Sequence, residues 1–326
     1  MFYFFLNNKL RGQLSFILLL TAVFAAMFFS KEIIVYNSQA DGPLFILISK
    51  LLNGNTLTIK IVSFFILTGS GILLNELFKV FGFLPRKNYT FFLIWLILII
   101  AFPLLWQINA LMLSAVIFIY IFLLLFKAAT ENLETKDLIS ISLLFSLTSL
   151  IYKPLIFSVL FIPFALIILR QLNVKTLLAS IVSFSLPYLW LWAYVFVTDK
   201  NTSIENYIIL NGLDNHWSLA IIKNYRFLIP LLFTAVLFLF SFGKIATSIN
   251  GKLIQIRIIY SLLIFYLLFI LIIIFISPAD NAHGLFLTFL PVSAITATGL
   301  LDTKKPLITD IYLGLFVLLS VFIFYF

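Results

Sequence analysis

Residues 90–126 read TFFLIWLILIIAFPLLWQINALMLSAVIFIYIFLLLF, 37 consecutive positions without Asp, Glu, Lys, Arg or His. As one helix they would run about 55 Å, nearly twice the hydrocarbon thickness of a bilayer. The run therefore has to fold back, and Trp106-Gln107-Ile108-Asn109 is the natural place for a tight hairpin. Two adjacent membrane crossings, 90–106 and 108–126, are the result.

The same reading extends in both directions. Further apolar segments of roughly spanning length occur at 13–30, 57–83, 138–152, 154–170, 176–197, 226–243, 256–276, 283–300 and 307–326. The chain is 63% hydrophobic and 10% charged, with mean hydropathy +1.19, whereas soluble domains carry about a quarter charged residues. The expectation is an all-α, polytopic transmembrane helical bundle of about eleven spans, N-terminus in and C-terminus out, forming a single membrane domain over 1–326. Lys153-Pro154 separates the short fifth and sixth spans, which could instead re-enter the bilayer without changing the side of anything downstream. The N-terminus pairs a basic stretch with an apolar run ending Phe28-Phe29-Ser30-Lys31, which lacks a small-residue cleavage site. It reads as an uncleaved first span.

Orientation follows from the basic residues near span ends. With the N-terminus in the cytoplasm, 14 of the 21 Lys and Arg fall on the cytoplasmic side. Trp106, Trp190, Trp192 and Trp217 then lie near outer span ends, where an aromatic belt is expected. The net charge of +9 is scattered between apolar runs, so it matches anionic lipid and excludes a nucleic-acid face. Heavy use of Phe, Ile, Asn and Lys is a compositional hint of an AT-rich bacterial genome, and the membrane expected is a bacterial inner one. The sequence has no Cys, which removes disulfides and thiol chemistry.

Two outer segments can carry their own structure. Lys31–Thr56 contains Pro43–Leu52, a short helix with Pro in its first turn and Gly54 beyond its end. Ten residues span about 15 Å, so the helix should lie in the interface. Thr198–Ile221 contains Thr202-x-x-Glu205, a capping-box spacing, and a stop at Asn211-Gly212.

Candidate chemistry gathers on this outer side. Asp41, or Glu32 in its place, could act as a general base toward a hydroxyl, although Asp41-Gly42-Pro43 is also strong turn punctuation. Lys153, Lys200 and Arg226 could bind a phosphate, or could simply reach lipid headgroups. His216, Asp280 and His283 complete the set, and the pairs Asp214-x-His216 and Asp280-x-x-His283 could together hold a divalent metal. No ionisable residue stands at mid-span, which argues against an ion-coupled transporter.

The order of first span, Glu32 and Asp41, then PLFILISKLL (43–52) and the long span IKIVSFFILTGSGILLNELFKVFGF (59–83) resembles the GT-C superfamily of integral-membrane glycosyltransferases. That resemblance implies a catalytic acid in the first outer loop and sugar transfer from a polyprenyl-phosphate donor. The chain has no DxD, so Asp41 and Glu32 both stand for the acid. Residues 277–301, SPADNAHGLFLTFLPVSAITATGLL, are similar to a stretch of an uncharacterised family of bacterial inner-membrane proteins. A non-enzymatic subunit of an envelope, secretion or motility complex, docking a protein partner through the outer loops, is the alternative expectation, with a transporter third.

Overall fold

A computed structural model describes residues 10–38, 40–52, 55–85, 88–131, 134–197, 225–276, 281–302 and 306–325. Among them the chain is all helical, with two isolated backbone bridges as its only β-type pairing. Twelve helices follow in order: α1 (Leu10–Ser30), α2 (Pro43–Leu52), α3 (Thr56–Val80), α4 (Thr90–Ala101), α5 (Ala110–Thr130), α6 (Thr135–Ile151), α7 (Ser158–Ile168), α8 (Val174–Val197), α9 (Tyr225–Ser248), α10 (Ile254–Ile276), α11 (Asn281–Leu301) and α12 (Pro306–Tyr325). Short 3₁₀ turns at Pro103–Trp106 and Lys153–Phe157 precede α5 and α7. Seven helices, α1, α3, α5, α8, α9, α10 and α11, are long and apolar enough to cross a membrane.

The hairpin expected within 90–126 is present, and its turn chemistry is local. Pro103 opens the 3₁₀ turn, and the Asn109 side chain accepts the Met112 N–H at 2.7 Å to cap α5. Asn55 caps α3 in the same way, through the N–H groups of Leu57 and Thr58. At the other end of α3, Gly82 adopts φ +76. Its N–H donates to Lys79 O and that of Phe83 to Phe78 O, the paired bonds that close a helix through a left-handed residue. Pro43–Leu52 forms a helix with the bounds the sequence suggests; Gly54 lies outside the described residues, as does the helix expected within Thr198–Ile221.

All twelve residues of α4 are buried, in keeping with a helix apolar on every face. It packs on α1, α3, α11 and α12, while α11 in turn packs on α5, α9 and α10. Small residues set the close approaches, as is usual between membrane helices. The Trp95 ring of α4 lies against Gly71 of α3 and its Nε1 donates to Leu67 O at 2.8 Å. Gly299 of α11 meets the backbone of Ser241 on α9. Helix α8 packs chiefly on α6, where Ser149 and Tyr188 share a 2.6 Å hydrogen bond.

The outside of the bundle is as apolar as the inside. Phe65, Leu178, Leu239, Ile272 and Leu318 are all at least half exposed, a surface suited to lipid and costly in water.

Candidate functional site

One end of the bundle is crossed by a strap between α1 and α2, described at residues 31–38 and 40–42. Two isolated backbone bridges pin it, Val35 to Ile108 in parallel and Asp41 to Tyr152 antiparallel. The strap thereby joins the tops of the α4–α5 and α6–α7 hairpins. Each pin has its own cluster of side chains, and at no more than about 3.5 Å of extended chain per residue, Tyr36 and Asp41 lie within about 17 Å of each other.

At the first pin, Tyr36 N–H donates to Ile108 O at 2.8 Å. Its ring lies over the His283 imidazole, centroids 4.3 Å apart at 32°. The Asn109 amide nitrogen sits 2.9 Å from His283 Nδ1, a contact that closes 174 residues of sequence. Asn109 Oδ1 already accepts the Met112 N–H, so the amide nitrogen faces the imidazole as donor. That assignment makes Nδ1 the acceptor and leaves the ring proton on Nε2.

At the second pin, Gly42 N–H donates to Ile151 O at 2.8 Å and Lys153 N–H to Ala40 O at 3.0 Å. Asp41 is buried. Its Oδ2 accepts the Ser38 N–H at 2.6 Å, and its own N–H returns a bond to Ser38 O. Lys153, from the α6–α7 turn, is half-buried beside it. Burial holds the Lys153 amine below the usual lysine value, and the Asp41 charge offsets part of that shift. A buried carboxylate and a half-buried amine from distant parts of the chain thus meet at one end of the bundle, a pairing that can join a proton acceptor to a phosphate holder.

Glu32 is exposed at the start of the strap and has no hydrogen bond or ion pair among the described residues. Arg226 is exposed on the first turn of α9. Burial, and then repulsion from Arg226, holds the Lys31 amine below the lysine value. Lys200, Asp214, His216 and Asp280 lie outside the described residues, so of the two metal pairs suggested by the sequence only His283 is described, with its Nδ1 turned to Asn109. Among the described residues no three His, Asp or Glu side chains form a group that could hold a metal ion.

Sequence reasoning missed Tyr36, Ser38 and Lys31. It treated Asn109 only as a turn residue. The cap at Asn109 was readable in principle, because Asn just before an apolar helix is a standard N-cap signal; its contact with His283 had no local signal. No protein-family model matches the chain, and no curated protein or solved structure matches it.

Proposed function

We propose that the chain is a bacterial inner-membrane protein that crosses the bilayer eleven times with its N-terminus in the cytoplasm, and that its strap end, facing outward, transfers sugar from a polyprenyl-phosphate-linked donor in the manner of GT-C enzymes. The observation that carries the reading is the placement of Asp41 beside Lys153. In this reading the Asp41 carboxylate takes the proton of an acceptor hydroxyl. The hydroxyl oxygen bonds to the sugar's anomeric carbon as the bond from that carbon to the phosphate oxygen breaks. Lys153 stabilises the polyprenyl phosphate that leaves with the electron pair. A helix at every apolar segment of the sequence supports the crossing pattern. At the strap end the start of α5 meets that of α11, and the ends of α1 and α12 meet on Trp106. Lys127 at the end of α5 pairs with Asp137 at the start of α6, and Lys252 before α10 with Asp302 after α11, as that pattern expects.

A second reading has its own support. The Ser38–Asp41 turn and the two backbone pins make the strap a fixed surface, which suits a subunit that docks a protein partner from an envelope complex.

Asp41→Asn separates the two, because the amide keeps an acceptor for the Ser38 N–H and loses the base. Protein purified in mild detergent is analysed for bound lipid, and cells for envelope glycan. The transferase reading expects Asp41→Asn to retain polyprenyl-linked lipid while glycan transfer is lost, and Lys153→Gln to lose glycan transfer and to hold one polyprenyl lipid fewer than the wild type. Unchanged glycan in Asp41→Asn, together with a stoichiometric protein partner and no polyprenyl lipid, would establish the second reading in its place.

A further inference from the structure

Beside the strap's entry, basic side chains gather around the 3₁₀ turn that ends in Trp106. Lys31 Nζ stands 5.8 Å above the Trp106 ring. Lys60, near the start of α3, donates to Phe29 O at 3.1 Å, two residues before Lys31. Arg226 adjoins Phe227, whose ring packs edge-on against Phe102 at 5.4 Å, in the residue preceding the same turn. Neither lysine has a carboxylate within ion-pair distance among the described residues.

The floor under these charges is rigid. Trp106 is fully buried, and its ring packs on Phe24, Phe28 and Phe324. Its Nε1 donates to Ile99 O, and its carbonyl accepts the Ser63 hydroxyl. Lysines that merely reach for bulk headgroups have free ammonium ends. Here the Lys60 ammonium is tied to a carbonyl and the Lys31 ammonium is set over a fixed indole, with the like charge of Arg226 acting on Lys31 ahead of any ligand. The Coulomb cost of that arrangement is relieved by an anion.

An apolar track begins at the same place. Leu57, Ile61 and Phe65 repeat at helical i, i+4 spacing along α3 and are 62%, 39% and 68% exposed. They run about 12 Å from the cationic end toward the middle of the bundle. A ligand that fits both features has a phosphate head and a long hydrocarbon tail.

We propose that Lys31, Lys60 and Arg226 form a site, separate from the Asp41–Lys153 edge, that holds the phosphate of a long-chain lipid whose tail lies along Leu57, Ile61 and Phe65. Both an anionic phospholipid and a polyprenyl phosphate carry this chemistry. The site goes beyond the transferase reading and does not depend on it.

The full chain, purified in neutral detergent, is titrated with phosphatidylglycerol, polyprenyl phosphate, phosphatidylcholine or inorganic phosphate, and bound species are counted by native mass spectrometry. The wild type retains one phosphatidylglycerol or polyprenyl phosphate in preference to phosphatidylcholine, and whichever displaces the other at equal concentration is the physiological class. Binding weakens about fivefold for each lysine removed, so about 25-fold in Lys31→Gln/Lys60→Gln. Lys31→Arg keeps it, and Lys50→Gln on α2 leaves it unchanged. Equal retention by wild type and the double variant, with both eluting as the same monodisperse species, would overturn the proposal. So would displacement of the lipid by inorganic phosphate at equal concentration, which would assign the cations a free anion and deny the tail any part.

Discussion

Gly42→Ala should release the strap at its second pin. A Cβ at this position would lie 2.0 Å from Leu150 O and 2.5 Å from Leu150 C, short of ordinary contact at 3.4 Å by about 1.4 Å. The obstacle is backbone at the end of α6, so no side-chain rotation relieves it. Moving the strap that far breaks Gly42 N–H to Ile151 O and Lys153 N–H to Ala40 O. Each such bond contributes about 1 kcal/mol net. Strain from the intruding methyl adds about 1 kcal/mol or more, for a total near 3 kcal/mol. The same movement carries Asp41 away from Lys153. Hydrogen exchange in detergent is the direct assay: a local loss of about 2 kcal/mol speeds exchange of the Gly42 and Lys153 amides about 30-fold. Gly69→Ala is the control, because nothing lies within 4 Å of the place its methyl would take and alanine favours the helix by up to about 1 kcal/mol. Unchanged exchange at Gly42 and Lys153 in a Gly42→Ala protein of wild-type melting temperature would refute the reasoning.

Asn109→Ala removes both the cap of α5 and the partner of His283, and thermal unfolding should show a loss of about 2 kcal/mol. Asn109→Asp restores the cap and replaces the amide donor by an acceptor, so the neutral ring has to move its proton from Nε2 to Nδ1 to keep the contact. Thermal unfolding should show stability above that of Asn109→Ala, rising further as falling pH protonates the imidazole. For Lys153, the sign follows from its two influences: burial lowers its pKa and Asp41 raises it, so Asp41→Asn lowers it further. At mildly alkaline pH more of the amine is then neutral, and acylation of Lys153, followed by peptide mass spectrometry, should be faster in Asp41→Asn than in the wild type; equal or slower labelling would contradict the coupling.

The fold was legible wherever the signal was local. The ends of α2, the break within 90–126 and the turn after Lys153 all follow from Pro, Asn and apolar run length, which act over a few residues. What joins Asp41 to Lys153, or Asn109 to His283, is the packing of hairpins far apart in the chain, and single residues carry no mark of it. Asp41 illustrates the limit well. The sequence offers a turn opening at Asp41-Gly42-Pro43 and a chemical role for the carboxylate; the fold instead closes a Ser38–Asp41 turn on it and sets its charge near Lys153. Among the cations around Trp106 the sequence singles out Arg226 alone as a phosphate holder and leaves Lys31 and Lys60 as outer-side charges, because their common floor comes from α1, α3, α9 and the α4–α5 turn together. Short α6, with 17 residues, owes its place to close packing on α8 through serine, which hydropathy does not register.

The central claim is that the strap end faces outward across an eleven-span bundle. The chain has no Cys, so single cysteines report cleanly. Asn37→Cys in the strap, Glu131→Cys after α5 and Asn250→Cys after α9 replace exposed residues. In intact spheroplasts a membrane-impermeant maleimide should label Asn37→Cys at once, and Glu131→Cys and Asn250→Cys only after permeabilisation. Labelling of Glu131→Cys or Asn250→Cys from outside, or protection of Asn37→Cys, would contradict the account.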